Sequence, residues 1–311
     1  MENVKQIEIK ENISVKELVK EMQKCGVIGA GRIGKAAEIF EEMLKNKSKI
    51  YLGLAGAMVP GGMRNILKDL ILDGYIDVFV TTGANLTHDL AESLGFKHIK
   101  GDSNADDEKL NKQGHDRVYD SYLQNKAYQK MEDLFNEHLS ELEGKRLSGS
   151  QFLKLLGSWI KDKNSILRAC YEKNIPIYSP ALIDSGIGLM LWNLLAKGKK
   201  FDILMFDDLK EIMDLVWESK KNGVFYIGGG VPKNFIQQAM QFSPNMADYG
   251  IQITMDRVEW GGSSGAELKE GISWGKMKPK GKFVDIKCDA TIALPLIYSY
   301  VKGIKRNRLI I

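Results

Sequence analysis

The chain has 311 residues, 44% of them hydrophobic and 27% charged, with a formal net charge of +4. That is the make-up of a globular protein able to bury a sizeable core, and the charge is too small and too evenly spread to argue for a nucleic-acid partner. No apolar run approaches about 18 residues, so no membrane span is expected, and the Glu- and Lys-rich stretch from Met1 to Lys24 does not read as a signal peptide. Cys25, Cys170 and Cys288 are odd in number and far apart, which suits reduced thiols in a cytoplasm rather than a disulfide framework or a zinc site. His88, His98, His115 and His138 lack metal-ligand spacing, so no metal is expected.

Residues 15–45 read as helical, with Val15, Leu18, Val19 and Met22 on one face and Ala36, Ile39, Phe40 and Met43 on another. The break between them is Gly26 to Gly34. Within it, Gly29-Ala30-Gly31-Arg32-Ile33-Gly34 fits the dinucleotide fingerprint G-x-G-x-x-G letter for letter. Its context is wrong: a charged amphipathic helix precedes it, and only a short strand fits into Gly26–Ile28. No acidic residue follows about 20 residues later, where the chain reads Lys47-Ser48-Lys49-Ile50. We do not adopt it as the nucleotide site.

From Lys49 onward, short β-type runs alternate with helical segments. The strand candidates are Ile50–Leu54, Ile76–Thr81, Pro176–Ser179, Phe201–Phe206, Gly223–Ile227, Gly250–Thr254 and Phe283–Lys287. Helical segments include Asp89–Leu94, Ser165–Glu172, Leu189–Ala196, Leu209–Lys220 and Asn234–Met240. This alternation predicts an α/β fold, a doubly wound and mostly parallel sheet of Rossmann-like type, with an N-terminal helical extension over residues 1–46. Residues 103–165 read as a mostly helical excursion, clearest at Leu123–Leu139, and the whole chain as one domain.

In an open α/β sheet, ligands bind beyond the carboxyl ends of the strands. The loops there are Ala55-Gly56-Ala57-Met58, Thr82-Gly83-Ala84-Asn85, Pro180 to Asp184, Gly228-Gly229-Gly230 and Cys288-Asp289-Ala290. Small residues let a ligand approach the backbone, and the triple glycine before a helix offers free amides to a phosphate, although each glycine also serves simply as a turn. Together they read as a cofactor crevice. Farther on, Glu270-Gly271-Ile272-Ser273-Trp274-Gly275-Lys276 puts a lysine beside an aromatic ring and a carboxylate. A lysine is a covalent catalyst only when neutral, and an apolar wall lowers its pKa; tryptophan also holds an ammonium group by cation–π attraction. The plain alternative is a solvated basic loop, because Met277-Lys278-Pro279-Lys280-Gly281-Lys282 follows.

The ordered set Gly228-Gly229-Gly230-Val231-Pro232-Lys233, Ala247-Asp248-Tyr249, Ser264-Gly265-Ala266, Glu270 to Lys276 and Asp289-Ala290 resembles deoxyhypusine synthase. Leu52-Gly53, Val80-Thr81-Thr82, Asp89-Leu90, Ser179 to Leu182 and Asp184 match upstream, so the resemblance covers nearly the whole chain. The Gly29–Gly34 stretch then matches a glycine-containing turn before the family's second helix. The resemblance implies NAD-dependent transfer of the aminobutyl group of spermidine to one lysine of translation factor 5A, through an imine on Lys276. It implies Glu270 and Trp274 in the polyamine site, with Asn234, Gln238, Gly262 and Ser263 lining it, and His88 moving protons. It implies NAD along Gly56, Ala57, Met58, Val59, Pro60, Thr82, Gly83, Ala84, Asp184, Gly229, Met255, Asp256, Asp289 and Ala290, and a homotetramer with sites at dimer interfaces. Asp184 and Asp289 would accept from ribose, or serve only as a turn or helix cap.

The chain departs from the eukaryotic pattern at several positions. Leu189, Trp260 and Ser263 stand where those proteins carry aspartates, Asn234 replaces a histidine, and His88 replaces a glutamate. Each lost carboxylate removes a charged hydrogen bond of about 1.5–3 kcal/mol from a polycation, with Glu259, Glu267 and Asp256 nearby as substitutes. Imidazole titrates near neutrality, so His88 suits proton shuttling. Two further readings follow: aminobutyl transfer to a free amine such as putrescine, and a non-catalytic NAD-binding subunit. Retention of Glu270, Trp274 and Lys276 together counts against the latter.

Overall fold

The computed structural model describes residues 2–306. The first half forms α1 (Val15–Cys25), α2 (Ile28–Lys45), β1 (Lys49–Leu54), α3 (Arg64–Leu72), β2 (Val78–Thr81), α4 (Gly83–Ser93), β3 (Ile99–Lys100), α5 (Asp107–Lys112), β4 (His115–Val118), β5 (Ser121–Gln124), α6 (Lys126–Glu137), β6 (Arg146–Ser148) and α7 (Gly149–Trp159). There follow α8 (Ile166–Lys173), β7 (Ile177–Tyr178), α9 (Gly186–Ala196), β8 (Asp202–Leu204), α10 (Met205–Trp217), β9 (Asn222–Ile227), α11 (Gly230–Gln241), β10 (Ala247–Thr254), β11 (Met277–Lys287) and α12 (Ala290–Val301). Two compact units result. The first takes the chain up to Leu54, Asp73–Val80 and the chain from Leu209 onward; the second takes Ala55–Leu72 and Thr81–Asp208. None of the described helices is long and apolar enough to cross a membrane.

In the first unit the strands run in the order β11-β10-β9-β1-β2, and β1–β9, β9–β10 and β10–β11 are all parallel. Every residue of β9 is buried. Strands buried on both faces need helices on both faces, and the register shows them. Gly53 pairs with Tyr226 and faces Ile236 of α11; Ile50 pairs with Gly223, which faces Met43 of α2. Residues 50 and 53, three apart on one strand, point to opposite faces, so α11 and α2 cover opposite sides of the sheet. Phe40 of α2 packs edge-on against Phe225 on its side, with centroids 5.3 Å apart. The expected α/β fold with a mostly parallel sheet is what forms.

The fingerprint glycines have a different use from nucleotide binding. α1 starts at Ser14, whose side chain and Glu17 form a capping box, and stops at Gly26 in the left-handed region at φ 74°. No strand forms at Gly26–Ile28, and the chain is helical again from Ile28. The stretch is thus neither the expected turn nor a βα junction. A Cβ on Gly31 would lie 2.2 Å from the Gly26 carbonyl carbon, and one on Gly34 would lie 2.4 Å from Gln23 Cα. These glycines let two helices cross at backbone distance.

Three further expectations change. Met277–Lys282 is not a loop but the start of β11, in which Met277 is fully buried. Its register against β10 slips between Ala247 and Tyr249, and Asp248 in that irregularity accepts from Asn222 N (3.0 Å) and Lys278 Nζ (2.7 Å). The Phe201–Phe206 run is a strand only over Asp202–Leu204; Phe206 lies in α10 and is exposed. The 103–165 excursion is less helical than expected, since β4 and β5 belong to an antiparallel sheet in the order β3-β5-β4, and Leu123 lies in β5. Charged residues alternating along His115–Val118 give that strand no apolar face to read.

The second unit is organised around Asp89, which is fully buried on α4. Its carboxylate accepts from Arg64 Nε on α3 (2.7 Å), Ser165 Oγ (2.7 Å) and the Ile166 and Leu167 amides of α8 (both 3.0 Å). One side chain thereby pairs a buried arginine and satisfies orphan amides at a helix start.

Candidate active site

Lys276 sits at the amino end of β11: its carbonyl accepts from Ala247 N (3.1 Å), and its amide donates to Gly271 O (2.8 Å). The carboxyl-end loops Gly228–Gly230 and Asp289–Ala290 therefore occupy the other end of the strands. The segment 255–276, which joins β10 to β11, carries Glu270 and Trp274 and spans that length. Trp274 brings its ring beneath the amine, with Lys276 Nζ 4.9 Å from the ring centroid. Burial pushes the Lys276 amine below the usual lysine value, and the negative charge of Glu270 pulls in the opposite direction. The indole and the amine thus meet in space, and the charge of Glu270 acts on the same amine. The flank is open in one chain, because Glu270 is exposed and Trp274 is 56% exposed.

A residue whose role the sequence did not suggest holds this segment. Lys233 lies in the first turn of α11 and is only 1% exposed; its Nζ donates to Ser263 O (2.6 Å) and Ala266 O (2.7 Å). Gln252 Nε2 donates to the same Ala266 carbonyl (2.9 Å) and to Asp285 Oδ1 (3.0 Å), which also accepts from Leu268 N. Burial raises the Asp285 carboxyl and lowers the Lys233 amine, the latter to about 8, with Asp285 and Glu270 opposing that fall and Lys276 and Lys287 reinforcing it. Unfolded Lys233 keeps its proton up to about pH 10.5, whereas the folded form loses it near 8, so its contribution to stability rises between those values. In Lys233→Met two carbonyls lose a charged donor, and the variant should be about 1–3 kcal/mol less stable at neutral pH after the desolvation saved is subtracted. Urea melts at pH 7 and pH 10 check this: the deficit relative to wild type should grow at the higher pH.

Ser264 explains the triple glycine. Gly230 N donates to Ser264 Oγ (2.7 Å), and a Cβ on Gly229 would lie 2.3 Å from Ser264 Cα. The close approach is made to the chain's own loop, and the Gly230 amide is not free for a phosphate as the sequence suggested. Asn234 and the exposed Gln238 lie one turn apart on α11, while Gly262 and Ser263 are exposed on the loop. Met255 is 70% exposed at the end of β10, beside Asp256, whose carbonyl accepts from Lys287 Nζ (2.6 Å). Asp289 caps α12, with Oδ1 accepting from Thr291 N (2.7 Å), and Ala290 begins that helix.

In the second unit, Gly56, at φ 79°, and Ala57 are exposed and Met58 is half-buried, whereas Val59 and Pro60 are buried. Asn85 ties this turn to α4, donating to Gly56 O (2.9 Å) while its Oδ1 accepts from Val59 N (3.4 Å). Thr82 is the N-cap of α4, Gly83 is buried against Ser185, and Ala84 is exposed. Asp184 is exposed and has no side-chain hydrogen bond from a described residue. Each unit by itself thus carries an exposed carboxylate at a turn, Asp289 in the first and Asp184 in the second, able to accept from a hydroxyl group. His88 lies half-buried on α4, next to Asp89 and hydrogen-bonded to His98. Among the described residues no His, Cys, Asp and Glu side chains gather as a metal-ligand set.

The deoxyhypusine synthase family profile matches residues 17–301. The probable deoxyhypusine synthase 1 of Methanosarcina mazei is 46% identical over 300 residues, covering 96% of this chain and 94% of that protein. The probable deoxyhypusine synthase 1 of Archaeoglobus fulgidus is 42% identical over 294 residues, covering 94% and 96%. Among solved structures, a protein from Entamoeba histolytica assigned as a deoxyhypusine synthase has the same fold, with a TM-score of 0.65 at 20% identity and 96% of both chains covered. With a match to that profile over most of its length and relatives at this identity, the chain belongs to the deoxyhypusine synthase family.

Proposed function

We propose that this chain transfers the aminobutyl group of spermidine to a specific lysine of translation factor 5A, in an NAD-dependent reaction that passes through an imine on Lys276. One observation carries the reading: Lys276 Nζ lies over the Trp274 ring at 4.9 Å, its amine kept below the usual lysine range by burial and accompanied by Glu270. A neutral amine both adds to an imine and leaves from one, so a single lysine can receive the four-carbon unit and hand it to another amine. The indole keeps water from one side of the imine, and Glu270 pairs with a substrate ammonium. His88 exchanges protons with the reacting nitrogens.

NAD would supply a hydride acceptor and donor. Gly229, Met255, Asp256, Asp289 and Ala290 are the contacts proposed from the first unit; Gly56 to Pro60, Thr82 to Ala84 and Asp184 are those from the second. Asn234, Gln238, Gly262 and Ser263 complete the polyamine contacts. We also place a homotetramer here, with sites at dimer interfaces. In support, Trp274 is exposed in the isolated chain, and Leu189, Trp192 and Leu195 give α9 an exposed apolar stripe.

The test is mass spectrometry after incubation with NAD, spermidine and the cognate 5A factor, with putrescine in a parallel tube. An aminobutyl addition to one factor lysine supports the reading. Leu189, Trp260, Ser263 and Asn234 stand in place of ionisable family residues and favour the second reading, transfer to a free amine. Homospermidine without factor modification would establish that instead.

A further inference from the structure

His88 on α4 and His98 at the approach to β3 are ten residues apart, and their rings are joined. His98 Nε2 lies 2.9 Å from His88 Nδ1, and His98 Nδ1 lies 2.8 Å from Glu92 Oε1. The ring centroids are 4.9 Å apart. An ionised carboxylate only accepts hydrogen bonds, so the hydrogen shared by Glu92 and His98 sits on His98 Nδ1. Burial raises the Glu92 carboxyl, but the hydrogen bond from His98 and the charges of Arg64 and Lys97 outweigh it and hold Glu92 below its ordinary range. A neutral His98 carries its one hydrogen on Nδ1 and presents a lone pair at Nε2. His88 must then donate from Nδ1, which leaves a lone pair on its own Nε2.

The surroundings keep that form. Burial is the leading cause that pushes His88 down to about 4, below the near-neutral titration expected from the sequence, so the ring is neutral near pH 7. Asp89, the next residue, is taken up by Arg64, Ser165 and the α8 amides. On the elements packed against α4, Tyr128 of α6 and Cys170 of α8 are held protonated by burial, and α9 carries no titratable group. His88 Nε2 has no hydrogen-bond partner among the described residues.

We propose that Glu92, His98 and His88 form a proton relay whose working end is His88 Nε2, with Glu92 and His98 as positioning residues. The substrate of the relay, a polyamine nitrogen, rests on the aminobutyl-transfer reading. A substrate ammonium gives its proton to His88 Nε2 and keeps the electron pair. The Nδ1 hydrogen of His88 passes to His98 Nε2, and the Nδ1 hydrogen of His98 passes to Glu92 Oε1. Each ring gains one proton and loses one, so the net change is one proton moved from the substrate to the carboxylate. The Glu92 side chain is 16% exposed, which opens the far end to water. Run in reverse, the same chain returns a proton and restores both rings. That suits a reaction in which one nitrogen is deprotonated and another is later protonated in the same turnover.

The test has two readouts on the full-length protein. Magic-angle-spinning NMR of the 15N-histidine-labelled protein reports tautomers without reference to activity, with signals assigned by their loss in His88→Gln and His98→Gln. Both rings should be in the Nδ1–H form at pH 7, and Glu92→Gln should abolish that preference at His98. In kinetics with polyamine, NAD and protein acceptor, His98→Gln keeps a donor toward Glu92 and an acceptor toward His88 but has no proton to pass on. Its kcat should fall about 100-fold with KM nearly unchanged and a displaced acid limb of the pH profile. An Nε2–H ring at either position in the wild type, or an unaltered kcat and pH profile in His98→Gln, overturns the relay. Wild-type protein without transfer activity would overturn the aminobutyl reading instead, and the tautomers would still decide the relay.

Discussion

Lys276→Ala is expected to lower the rate of aminobutyl transfer at least about 1,000-fold, as removal of a covalent nucleophile does, while leaving the fold intact. Lys276 is half-buried at a strand end, and its backbone makes the hydrogen bonds to Ala247 and Gly271 whatever the side chain. Lys276→Arg should be equally inactive. A guanidinium keeps the positive charge over Trp274 but is not deprotonated in proteins and supplies no nucleophile. Matched circular-dichroism melts with a loss of product by mass spectrometry would make the defect chemical. Unchanged activity of Lys276→Ala in a system reconstituted with an active paralogue would return the chain to a supporting role.

The pH dependence follows from the same geometry. The reactive form of Lys276 is the neutral amine, so kcat/KM should rise as pH climbs through its pKa. Burial lowers that pKa, and Glu270 raises it by favouring the ammonium. Glu270→Gln removes the opposing charge, so the rising limb should move to lower pH while KM for the polyamine increases. A limb moved upward, or unmoved, would separate Glu270 from Lys276.

Asp89→Ala should be among the most destabilising single substitutions in the second unit, at about 3–5 kcal/mol. The carboxylate is fully buried, and its removal strands Arg64, the Ser165 hydroxyl and two α8 amides at once. Arg64 keeps Asp162 at 2.9 Å and Glu92 at 3.4 Å, which limits the loss without restoring the helix cap. In a cycle with Arg64→Met the two effects should fall well short of additive, because each residue is the other's main buried partner. Urea midpoints at constant m-value measure this. A cost below about 1 kcal/mol would mean that water or a rearranged α8 replaces the carboxylate. Asp89 matched the family pattern in the sequence, which gave it no role; the structure gives it a supporting task.

The alternation of apolar strands and helices made the parallel sheet legible, since β1, β9 and β10 are continuous buried runs. The start of β11 was not. Pro279 and Gly281 interrupt it, Lys280 and Lys282 face solvent, and only Met277 is fully buried, so an edge strand with a register slip has the composition of a loop. Gly31 and Gly34 satisfy a nucleotide fingerprint because close backbone approach needs glycine, whether the neighbour is a phosphate or another helix. Trp274 and Glu270 were readable beside Lys276 because they are near in sequence. Lys233 was not, as a lysine in a first helical turn reads as surface. The His98–His88 contact was hidden for a related reason: it joins a helix to a segment beyond its end, where no periodicity puts two rings together.

The most direct test of aminobutyl transfer through Lys276 is reductive trapping. The protein is incubated with NAD and spermidine without acceptor, reduced with borohydride, digested and mapped by mass spectrometry. A single aminobutyl adduct on the peptide containing Lys276, dependent on both NAD and spermidine, is the predicted result. An adduct on a different lysine, or product formation with no trapped lysine at all, would contradict it.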